Sequence, residues 1–451
     1  KKVSLAVEAG ECVVLCGRSG CGKTTLTRLA NGLAGGFWEG TRTGAVRIEG
    51  RNVDEFEEWQ LAEHIGSVFQ NPRTQFFTLD TTGEIAFALE NLGVPRDEMH
   101  ARVARVADEL SATDLLDRSI FKLSGGQMQS IAFASVSVCE PRAYVLDEPS
   151  SNLDPVGMER LAALIAKAKA AGSAVLVAEH RLAYLMDVAD RFLLMRDGRI
   201  EQELSRTDVF AAPDDLRRSW GLRSPRRTAR PKLPHPNESA TKLSGATEPP
   251  ALEIRGLRAA YRSNRIFEDV SLTVEAGQIV ALTGKNGAGK TTLARILGGL
   301  KKAQAGSIRV HGRICSYRDL RRRVWFGPND VKAEFFTPSV KEEAMLLVKP
   351  DETHKNRARG ILHDLDLWEL REQHPATLSG GQKQRLSIAC GLMSDRTVLV
   401  FDEPTSGLDA LNMEVVAGAL ETAAREGRAI IVVTHDSEFI GRCCTHIFEL
   451  E

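Results

Sequence analysis

Gly17-Arg-Ser-Gly-Cys-Gly-Lys-Thr24 decides the fold of this chain, and Gly284-Lys-Asn-Gly-Ala-Gly-Lys-Thr291 repeats it. Each stretch follows a short apolar run that predicts a strand, Glu11 to Cys16 and Gln278 to Thr283, and each opens a predicted helix. In that context the glycines let backbone N–H groups approach phosphates, the helix N-terminus favours negative charge, and the lysine reaches the outer phosphates. The pattern therefore predicts a triphosphate-binding loop, and its recurrence in the same context argues against a chance match.

The residues of these two loops supply the expected contacts to the triphosphate of a nucleotide and to Mg²⁺. Thr24 and Thr291, each directly after the lysine, offer a hydroxyl that would ligate Mg²⁺. The positions expected to hold the phosphates are Gly17, Ser19, Gly20, Gly22, Lys23, Thr24 and Thr25 in the first loop, and Gly284, Asn286, Gly287, Gly289, Lys290, Thr291 and Thr292 in the second.

An internal repeat extends well beyond the loops. Lys1-Lys-Val-Ser-Leu-Ala-Val-Glu-Ala-Gly-Glu matches Glu268-Asp-Val-Ser-Leu-Thr-Val-Glu-Ala-Gly-Gln, and further matching motifs follow both loops in the same order. The chain is therefore predicted to hold two copies of one domain, each of about 200 residues. We place the first copy at residues 1–222, a linker at 223–250 and the second copy at 251–451.

The segment between the copies differs in composition. Pro213 to Pro250 contains seven of the 17 prolines and a run of arginines that includes Arg217, Arg223 and Arg230. After Gly221 this predicts an extended, solvated linker, although its basic run could also touch anionic lipid. Its 28 residues would have a root-mean-square span of about 30 Å and would hold the copies at roughly millimolar effective concentration, which favours their pairing with each other.

Composition excludes several classes of protein. The 451 residues carry a net charge of −1 with 43% hydrophobic and 26% charged residues, which gives no general case for nucleic-acid binding. No apolar run approaches the length of about 18 residues needed to span a bilayer. The eight cysteines form no ligand-spaced cluster, so Cys12, Cys16, Cys139 and Cys390 are interpreted as core residues, and Cys443 and Cys444 as packing residues, in a reducing cytoplasm.

Short β-rich runs alternate with helical stretches in each copy. Ala143 to Leu146, Ala174 to Ala178, Thr397 to Phe401 and Ala429 to Val433 are nearly all apolar, which is typical of parallel strands buried on both faces. Amphipathic helical stretches such as Asp97 to Leu110 and Met158 to Ala171 lie between them. The expected fold class is α/β.

Polar residues end two predicted strands of each copy. Asp147 and Asp402 each end an apolar run, where a carboxylate suits Mg²⁺ bound to the triphosphate, and the adjacent Glu148 or Glu403 could polarise the attacking water. The alternative is a pair of acidic residues that simply face solvent.

A histidine follows the next predicted strand of each copy. Taken alone, a histidine of this kind is more often structural. Because His180 and His435 occupy the same place in both copies, we interpret each as a contact to the terminal phosphate.

Leu-Ser-Gly-Gly-Gln occurs in both copies and identifies the family. Its residues are Ser124, Gly125, Gly126 and Gln127 in the first copy and Ser379, Gly380, Gly381 and Gln382 in the second. Serine and glycines at the start of a helix form a second phosphate-binding N-terminus. With this pentapeptide the chain resembles ATP-binding cassette (ABC) ATPases over nearly its whole length apart from the linker.

The resemblance implies a more detailed fold and further roles. It implies two P-loop NTPase domains of ABC type, each with a mainly parallel core sheet, an antiparallel β part and a helical subdomain that carries the signature pentapeptide. Gln70 matches the glutamine that senses Mg²⁺ and water, Asp154 and Asp409 match the loop that couples the two sites, and Tyr261 matches the aromatic residue that stacks on adenine. Phe69-Gln-Asn-Pro-Arg-Thr-Gln-Phe-Phe-Thr and the Glu-His-Arg triplet look most like the energy-coupling-factor (ECF) branch, whose importers take up vitamins or transition-metal ions.

Three positions depart from the family pattern. Asn329 stands opposite Gln70 and is shorter by one C–C bond, about 1.5 Å, so its reach to Mg²⁺ or water is in doubt. Ser130 stands where the second copy has the basic residue Arg385. The first copy also begins too late to contain a counterpart of Tyr261, so its N-terminal strand and aromatic loop are expected to be missing from this sequence.

Head-to-tail pairing, as the resemblance implies, would create two composite ATP sites. One would combine Lys23, Gln70, Asp147, Glu148 and His180 with Ser379 and Gly381. The other would combine Tyr261, Lys290, Asn329, Asp402, Glu403 and His435 with Ser124 and Gly126. We expect both sites to bind ATP and the first to hydrolyse it faster.

The resemblance also implies a membrane partner. The expected function is the ATP-hydrolysing subunit of a transporter at the cytoplasmic face of a bacterial membrane, with an ECF-type transmembrane coupling protein and a substrate-binding membrane protein as partners. Arg73 to Glu84 and Lys332 to Glu343 would form the docking surface, unless they are merely exposed loops. The alternatives are a soluble ATPase acting on ribosomes or DNA and the ATPase of an exporter; no nucleic-acid partner is expected.

Overall fold

The computed structural model divides the chain into two compact units, residues 1–227 and 228–451. It describes residues 2–34, 41–151, 153–227, 233, 249–261, 264–331 and 335–450, without the side chains of residues 58, 261 and 264. Most of the predicted linker therefore lies outside the described residues.

The first unit is built on a six-stranded sheet of order β4-β5-β6-β1-β7-β8, beside a two-stranded hairpin of β2 and β3. Its pairs are parallel, except for the antiparallel pair of β7 and β8. In the described residues its strands are β1 (Cys12–Gly17), β2 (Arg47–Ile48), β3 (Arg51–Asn52), β4 (Ile65–Val68), β5 (Ala143–Asp147), β6 (Ala174–Ala178), β7 (Arg191–Arg196) and β8 (Arg199–Leu204).

Helices cover both faces of this sheet. The helices described in this unit are α1 (Lys23–Ala30), α2 (Glu58–His64), α3 (Thr81–Asn91), α4 (Arg96–Glu109), α5 (Gly125–Ser137), α6 (Pro155–Ala170), α7 (Arg206–Ala211) and α8 (Asp214–Ser219). Short 3₁₀ turns lie at Val53–Glu55, Pro72–Thr74, Thr113–Leu115 and Ile120–Lys122. Successive residues of β1 point to opposite faces, so Val14 joins a core cluster with Ile165 of α6 while Val13 packs with Leu26 of α1.

A helical subdomain projects from the sheet of the first unit. Helices α3, α4 and α5 pack together around Ile85, Leu89, Val106 and Ile131, which are buried. The signature pentapeptide lies at the start of α5, so this subdomain positions it.

The second unit has two sheets. The parallel sheet has order β14-β15-β16-β11-β17 and the antiparallel sheet has order β10-β9-β12-β13. The strands described are β9 (Leu252–Tyr261), β10 (Asn264–Val274), β11 (Ile279–Thr283), β12 (Ala305–Val310), β13 (Arg313–Ile314), β14 (Val324–Gly327), β15 (Val398–Asp402), β16 (Ala429–Val433) and β17 (His446–Glu449).

Helices of the second unit follow the same plan. Those described are α9 (Lys290–Leu297), α10 (Tyr317–Arg323), α11 (Val340–Met345), α12 (Glu352–Asp364), α13 (Gly380–Met393), α14 (Ala410–Arg425) and α15 (Ser437–Cys443), with 3₁₀ turns at Trp368–Leu370 and Pro375–Thr377. Helices α11, α12 and α13 form the helical subdomain, and α13 begins at the second signature pentapeptide.

The predicted α/β class, with a parallel core sheet, an antiparallel part and a helical subdomain, is confirmed. Among the residues that the structure describes, no helix combines the length and the apolar character needed to cross a bilayer. The expected start of a helix at Met158 is wrong by one turn, because Asp154 caps α6 by accepting a hydrogen bond from the Gly157 N–H at 2.7 Å and Pro155 fits its first position.

Two expectations about individual side chains also need correction. Arg223 was expected in a solvated linker but is buried, directly after Leu222, which packs into the core of the first unit. Cys139 is only partly buried, whereas Cys12, Cys16, Cys390, Cys443 and Cys444 are buried as expected. Burial raises the pKa of both Cys12 and Cys16 to about 12, so these two thiols are protonated core groups.

Candidate functional site

The sequence motifs meet at one edge of the core sheet in each unit. In the first unit β5, β6 and β1 are adjacent and parallel, so their carboxyl ends lie side by side. Asp147 ends β5, His180 follows β6, and the phosphate loop follows β1. The second unit repeats this arrangement with β15, β16 and β11.

Glycine is required where each phosphate loop leaves its strand. Gly17 and Gly284 have φ of +136° and +133°, a region that side chains rarely adopt. A Cβ at Gly17 would collide with the carbonyl oxygen of Met195, and one at Gly284 with that of Leu450. The loop backbone thus passes close to a neighbouring segment, and α1 and α9 begin at the loop lysines.

The loop lysines are held inside their loops. Lys23 is 4% exposed and its Nζ donates to the carbonyl oxygens of Gly17 at 3.0 Å and Arg18 at 3.2 Å. Lys290 makes the equivalent bonds to Gly284 at 2.7 Å and Lys285 at 2.9 Å. Each ammonium group therefore lies against the concave side of the loop, where it can interact with an entering phosphate.

Oxygen ligands suited to Mg²⁺ lie beside each loop. Thr24 Oγ1 donates to Asp147 Oδ1 at 3.1 Å, and Thr291 hydrogen-bonds to Asp402. Burial, followed by the charge of Glu148, raises the pKa of Asp147 to about 6, and burial also raises the pKa of Asp402. One carboxylate and one hydroxyl fit Mg²⁺, which keeps several waters and takes further oxygens from substrate phosphates.

Glu148 and Glu403 occupy an unusual backbone conformation directly after their strands. Their φ values are +45° and +51°, and their N–H groups donate to Ala178 at 2.9 Å and Val433 at 2.8 Å. Such strained positions cluster at functional sites. The Glu148 side chain is only 15% exposed, which disfavours the alternative of an acidic residue that simply faces solvent.

Two side chains lie against the Glu148 carboxylate in the first unit. Gln70 Nε2 donates to Glu148 Oε2 at 2.8 Å, and His180 Nε2 lies 3.2 Å from Glu148 Oε1. His180 is buried, and its Nδ1 has no hydrogen-bond partner among the described residues. The structure thus brings two of the predicted residues, Gln70 and His180, to the carboxylate of a third, Glu148.

The second unit places its counterparts similarly but with different contacts. Asn329 follows β14 as Gln70 follows β4, and it is exposed. His435 follows β16 and is partly buried. Glu403 Oε2 accepts a hydrogen bond from Thr434 Oγ1 at 3.2 Å, a contact that the sequence analysis did not anticipate.

Each signature pentapeptide caps its own helix. Ser124 and Gln127 form a reciprocal capping box at the start of α5, and Ser379 and Gln382 do so at the start of α13. The N–H groups of the glycines between them, Gly125, Gly126, Gly380 and Gly381, lie in the first turn of these helices, where a helix has no acceptors of its own. The side chain of Tyr261, the predicted adenine contact, lies outside the described part.

The departures at Ser130 and Arg385 have structural consequences. Ser130 Oγ donates to the Gly126 carbonyl at 3.1 Å, within the first turn of α5. Arg385 is 4% exposed and its guanidinium lies 3.9 Å from the Asp366 carboxylate, while burial lowers the pKa of Arg385. The equivalent positions therefore carry a hydroxyl bonded to its own helix in one unit and a buried arginine near Asp366 in the other.

Sequence reasoning missed two buried glutamates that hold the loop after Gln70 and Asn329. Glu84 Oε2 accepts from the N–H groups of Phe77 and Thr78, both at 2.9 Å, and from the Thr78 hydroxyl at 3.0 Å. In the second unit Glu343 makes the same three bonds to Phe336 and Thr337, at 2.9, 2.8 and 2.8 Å. The available signal was the repeat itself, which keeps Phe-Thr and this glutamate at the same spacing in both copies.

Comparison with known proteins identifies the family. The family model described as "ABC transporter" matches residues 1–151 and 267–406. This chain belongs to the ABC transporter family. As an ABC ATPase it hydrolyses ATP and binds it together with Mg²⁺.

Two relatives that match nearly the whole of this chain are also named as ATP-binding proteins of transporters. A Treponema denticola protein, provisionally named as an ABC transporter ATP-binding protein, is 42% identical over 99% of this chain and 91% of its own length. A Bacillus subtilis protein, provisionally named as the HMP/thiamine import ATP-binding protein YkoD, is 32% identical over 97% of this chain and 84% of its own length.

Solved structures that match nearly the whole of this chain were also found. A model of ribosome-bound archaeal Pelota and ABCE1 matches with a TM-score of 0.70 and 22% identity, over 99% of this chain and 73% of that chain. A structure of the RNase-L inhibitor matches with a TM-score of 0.63 and 22% identity, over 98% and 84%. At this identity the likeness establishes the fold alone.

Proposed function

We propose that this tandem ATPase powers a membrane transporter, most like an ECF-type importer of a vitamin or metal ion. The observation that carries the proposal is the pair of exposed phenylalanines, Phe77 and Phe336, each seven residues after the glutamine or asparagine of its nucleotide site. Support from relatives comes from YkoD, a full-length relative whose provisional name refers to HMP/thiamine import. The partners proposed are an ECF-type transmembrane coupling protein and a substrate-binding membrane protein.

The two ATP sites are proposed to form by head-to-tail pairing of the units. Lys23, Asp147, Glu148 and His180 would then be completed by the signature residues of the second unit, and Lys290, Asp402, Glu403 and His435 by those of the first. When bound, Mg²⁺ would neutralise charge on the triphosphate. Gln70 and His180 orient the Glu148 carboxylate, which takes the proton of the attacking water.

The proposed docking surface comprises residues 73–84 and 335–343, since residues 332–334 lie outside the described part. Phe77 is 75% exposed and Phe336 is 80% exposed. Glu84 and Glu343 accept hydrogen bonds from the backbone N–H groups of Phe77 and Phe336, so a buried carboxylate fixes the backbone that presents each phenylalanine. Aromatic residues are enriched at protein–protein interfaces, which supports the proposed surface.

The decisive experiment is purification of the full chain from native membranes, with identification of the proteins that accompany it. Capture of transmembrane subunits supports the proposal, whereas recovery only with ribosomes or DNA would support a soluble ATPase instead. Ribosomes are included as an outcome because this chain shares its fold with the ribosome-bound archaeal structure described above.

Matched surface variants make the experiment specific to the docking surface. Phe77→Ser and Phe336→Ser should reduce capture of the membrane subunits. Leu300→Ser is the control, because Leu300 is also exposed, at 59%, but lies outside the proposed surface. Equal capture by all three variants would argue against these loops as the contact.

A further inference from the structure

The two catalytic glutamates have different neighbours at one equivalent position. The residue before the histidine is Glu179 in the first copy and Thr434 in the second. Both side chains are buried, at 2% and 0% exposure. One is a carboxylate, which can only accept hydrogen bonds when ionised, and the other is a hydroxyl, which can donate one.

Hydrogen bonds around Thr434 determine where its proton points. The Asp436 N–H donates to Thr434 Oγ1 at 3.1 Å, so one lone pair of the hydroxyl is occupied. Thr434 Oγ1 lies 3.2 Å from Glu403 Oε2, and a carboxylate offers only acceptors. The hydroxyl proton is therefore directed at Glu403. The bond from the Asp436 N–H explains why a hydroxyl side chain suits this turn. It does not explain why the same hydroxyl also contacts Glu403.

Glu179 cannot play this part in the first unit. Its Oε1 accepts from the N–H groups of His180 at 2.8 Å and Arg181 at 3.0 Å, and its Oε2 accepts from the Tyr184 hydroxyl at 2.9 Å. Both carboxylate oxygens of Glu179 therefore accept hydrogen bonds from the segment that carries His180. Glu148 instead receives its amide donor from Gln70, which is exposed.

We propose that Thr434 is a positioning residue of the second ATP site, which holds the Glu403 carboxylate in orientation through its buried hydroxyl. The counterpart Glu179 bonds to its own loop instead. The equivalent glutamates Glu148 and Glu403 therefore have different donors, Gln70 in the first unit and Thr434 in the second. Thr434 acts through Glu403 and is not itself assigned a contact with ATP. The inference rests on the proposed role of Glu403 in hydrolysis.

The test measures single-turnover hydrolysis by the full chain with ATP and Mg²⁺, in a Glu148→Gln background that reports on the second site. Thr434→Val keeps the shape but removes the donor, and should slow the hydrolytic step about tenfold, which corresponds to about 1.4 kcal/mol, while leaving the affinity for ATP unchanged. Thr434→Ser keeps the hydroxyl and should restore most of the rate. Nucleotide binding by each variant shows that it is folded.

Further variants separate the possible outcomes. Thr405→Val removes the bond from Thr405 Oγ1 to Asp436 Oδ2, at 2.8 Å, and so disturbs the same loop without touching the Glu403 contact. If it slows hydrolysis as much as Thr434→Val, support of the loop explains the effect and the inference is wrong. Failure of serine to restore the rate would also overturn it. If Glu403→Gln costs nothing in the same background, the proposed role of Glu403 fails instead.

Discussion

Gln70 and Glu148 lie 78 residues apart in the sequence, yet the Gln70 amide donates to the Glu148 carboxylate at 2.8 Å. This bond joins the segment after β4 to the end of β5, two adjacent parallel strands. Since Gln70 also precedes the loop that carries Phe77, it connects the proposed docking surface with the proposed catalytic base. The position of that loop can therefore influence the orientation of the carboxylate.

Gln70→Ala should lower ATP hydrolysis about tenfold with little change in KM. The lost bond orients a charged group, but water can replace the donor because Gln70 is exposed, so the loss should fall at the lower end of the range for such bonds. Steady-state kinetics would measure this. Gln202→Ala, a change at an exposed glutamine on β8, is the control. A rise in KM at constant kcat would instead indicate a contact with the nucleotide.

Glu148→Gln and Glu403→Gln should both impair hydrolysis, but unequally. Loss of a general base costs about 10²–10⁴ in rate. We expect the larger loss from Glu148→Gln, because its site contains Gln70. The second site has Asn329 at the equivalent position, and its side chain is one C–C bond shorter. Single-turnover hydrolysis by each variant, with binding of ATP confirmed separately, would measure the difference. Equal losses would contradict the expected asymmetry.

The parts of this structure that follow from local pattern could be predicted from the sequence. The runs Ala174–Ala178 and Ala429–Val433 form strands with the predicted bounds, because each is a continuous apolar run closed by polar residues. Matching the two copies set Asn329 opposite Gln70, and in the structure each lies two residues after its strand, β14 or β4. Local pattern and the repeat together were sufficient for the fold class.

Contacts that depend on side-chain direction could not be predicted. Glu84 and Glu343 look like ordinary helix residues in the sequence, because an acidic side chain gives no sign that backbone N–H groups will satisfy it when it is buried. The contact between Thr434 and Glu403 likewise depends on the turn after β16. Burial of Arg223 could not be predicted either, because this residue lies in a basic and proline-rich segment.

Asp147→Asn should stabilise the first unit in the absence of nucleotide. Burial and the nearby Glu148 raise the pKa of Asp147 from 3.8 to about 6, so the folded unit binds this proton more tightly than the unfolded chain does. The ionised carboxylate therefore destabilises the fold at pH above about 6, and this penalty disappears as the pH falls below 6 towards 4. The corresponding gain at neutral pH is at most about 3 kcal/mol.

Thermal unfolding of wild type and Asp147→Asn at several pH values would measure this gain. We expect a higher Tm for the variant at pH 7.5, a difference that shrinks towards pH 5, and a loss of Mg²⁺-dependent ATP binding. Asp154→Asn serves as a comparison, because Asp154 is an N-cap rather than a buried acid beside another carboxylate. A lower Tm for Asp147→Asn at pH 7.5 would show that the carboxylate stabilises the apo fold.

Glu84→Ala should destabilise the first unit and loosen the loop that carries Phe77. The variant leaves the N–H groups of Phe77 and Thr78 and the Thr78 hydroxyl without their acceptor, although water can reach some of them. A loss of about 2–4 kcal/mol is expected, since each unsatisfied buried group costs about 1–3 kcal/mol. Glu84→Gln keeps one acceptor oxygen and should lose less. Thermal unfolding and hydrogen exchange at the amides of residues 77 and 78 would measure both effects.

Glu90→Ala is the control for this experiment, because Glu90 lies on the same helix α3 but is exposed. It should leave the exchange of both amides unchanged. Glu343→Ala should reproduce the effect of Glu84→Ala in the second unit, at the amides of Phe336 and Thr337, since the same three bonds are lost there. Unchanged exchange at residues 77 and 78 in Glu84→Ala would mean that the loop holds its conformation without the buried carboxylate, and that Phe77 is presented by its backbone alone.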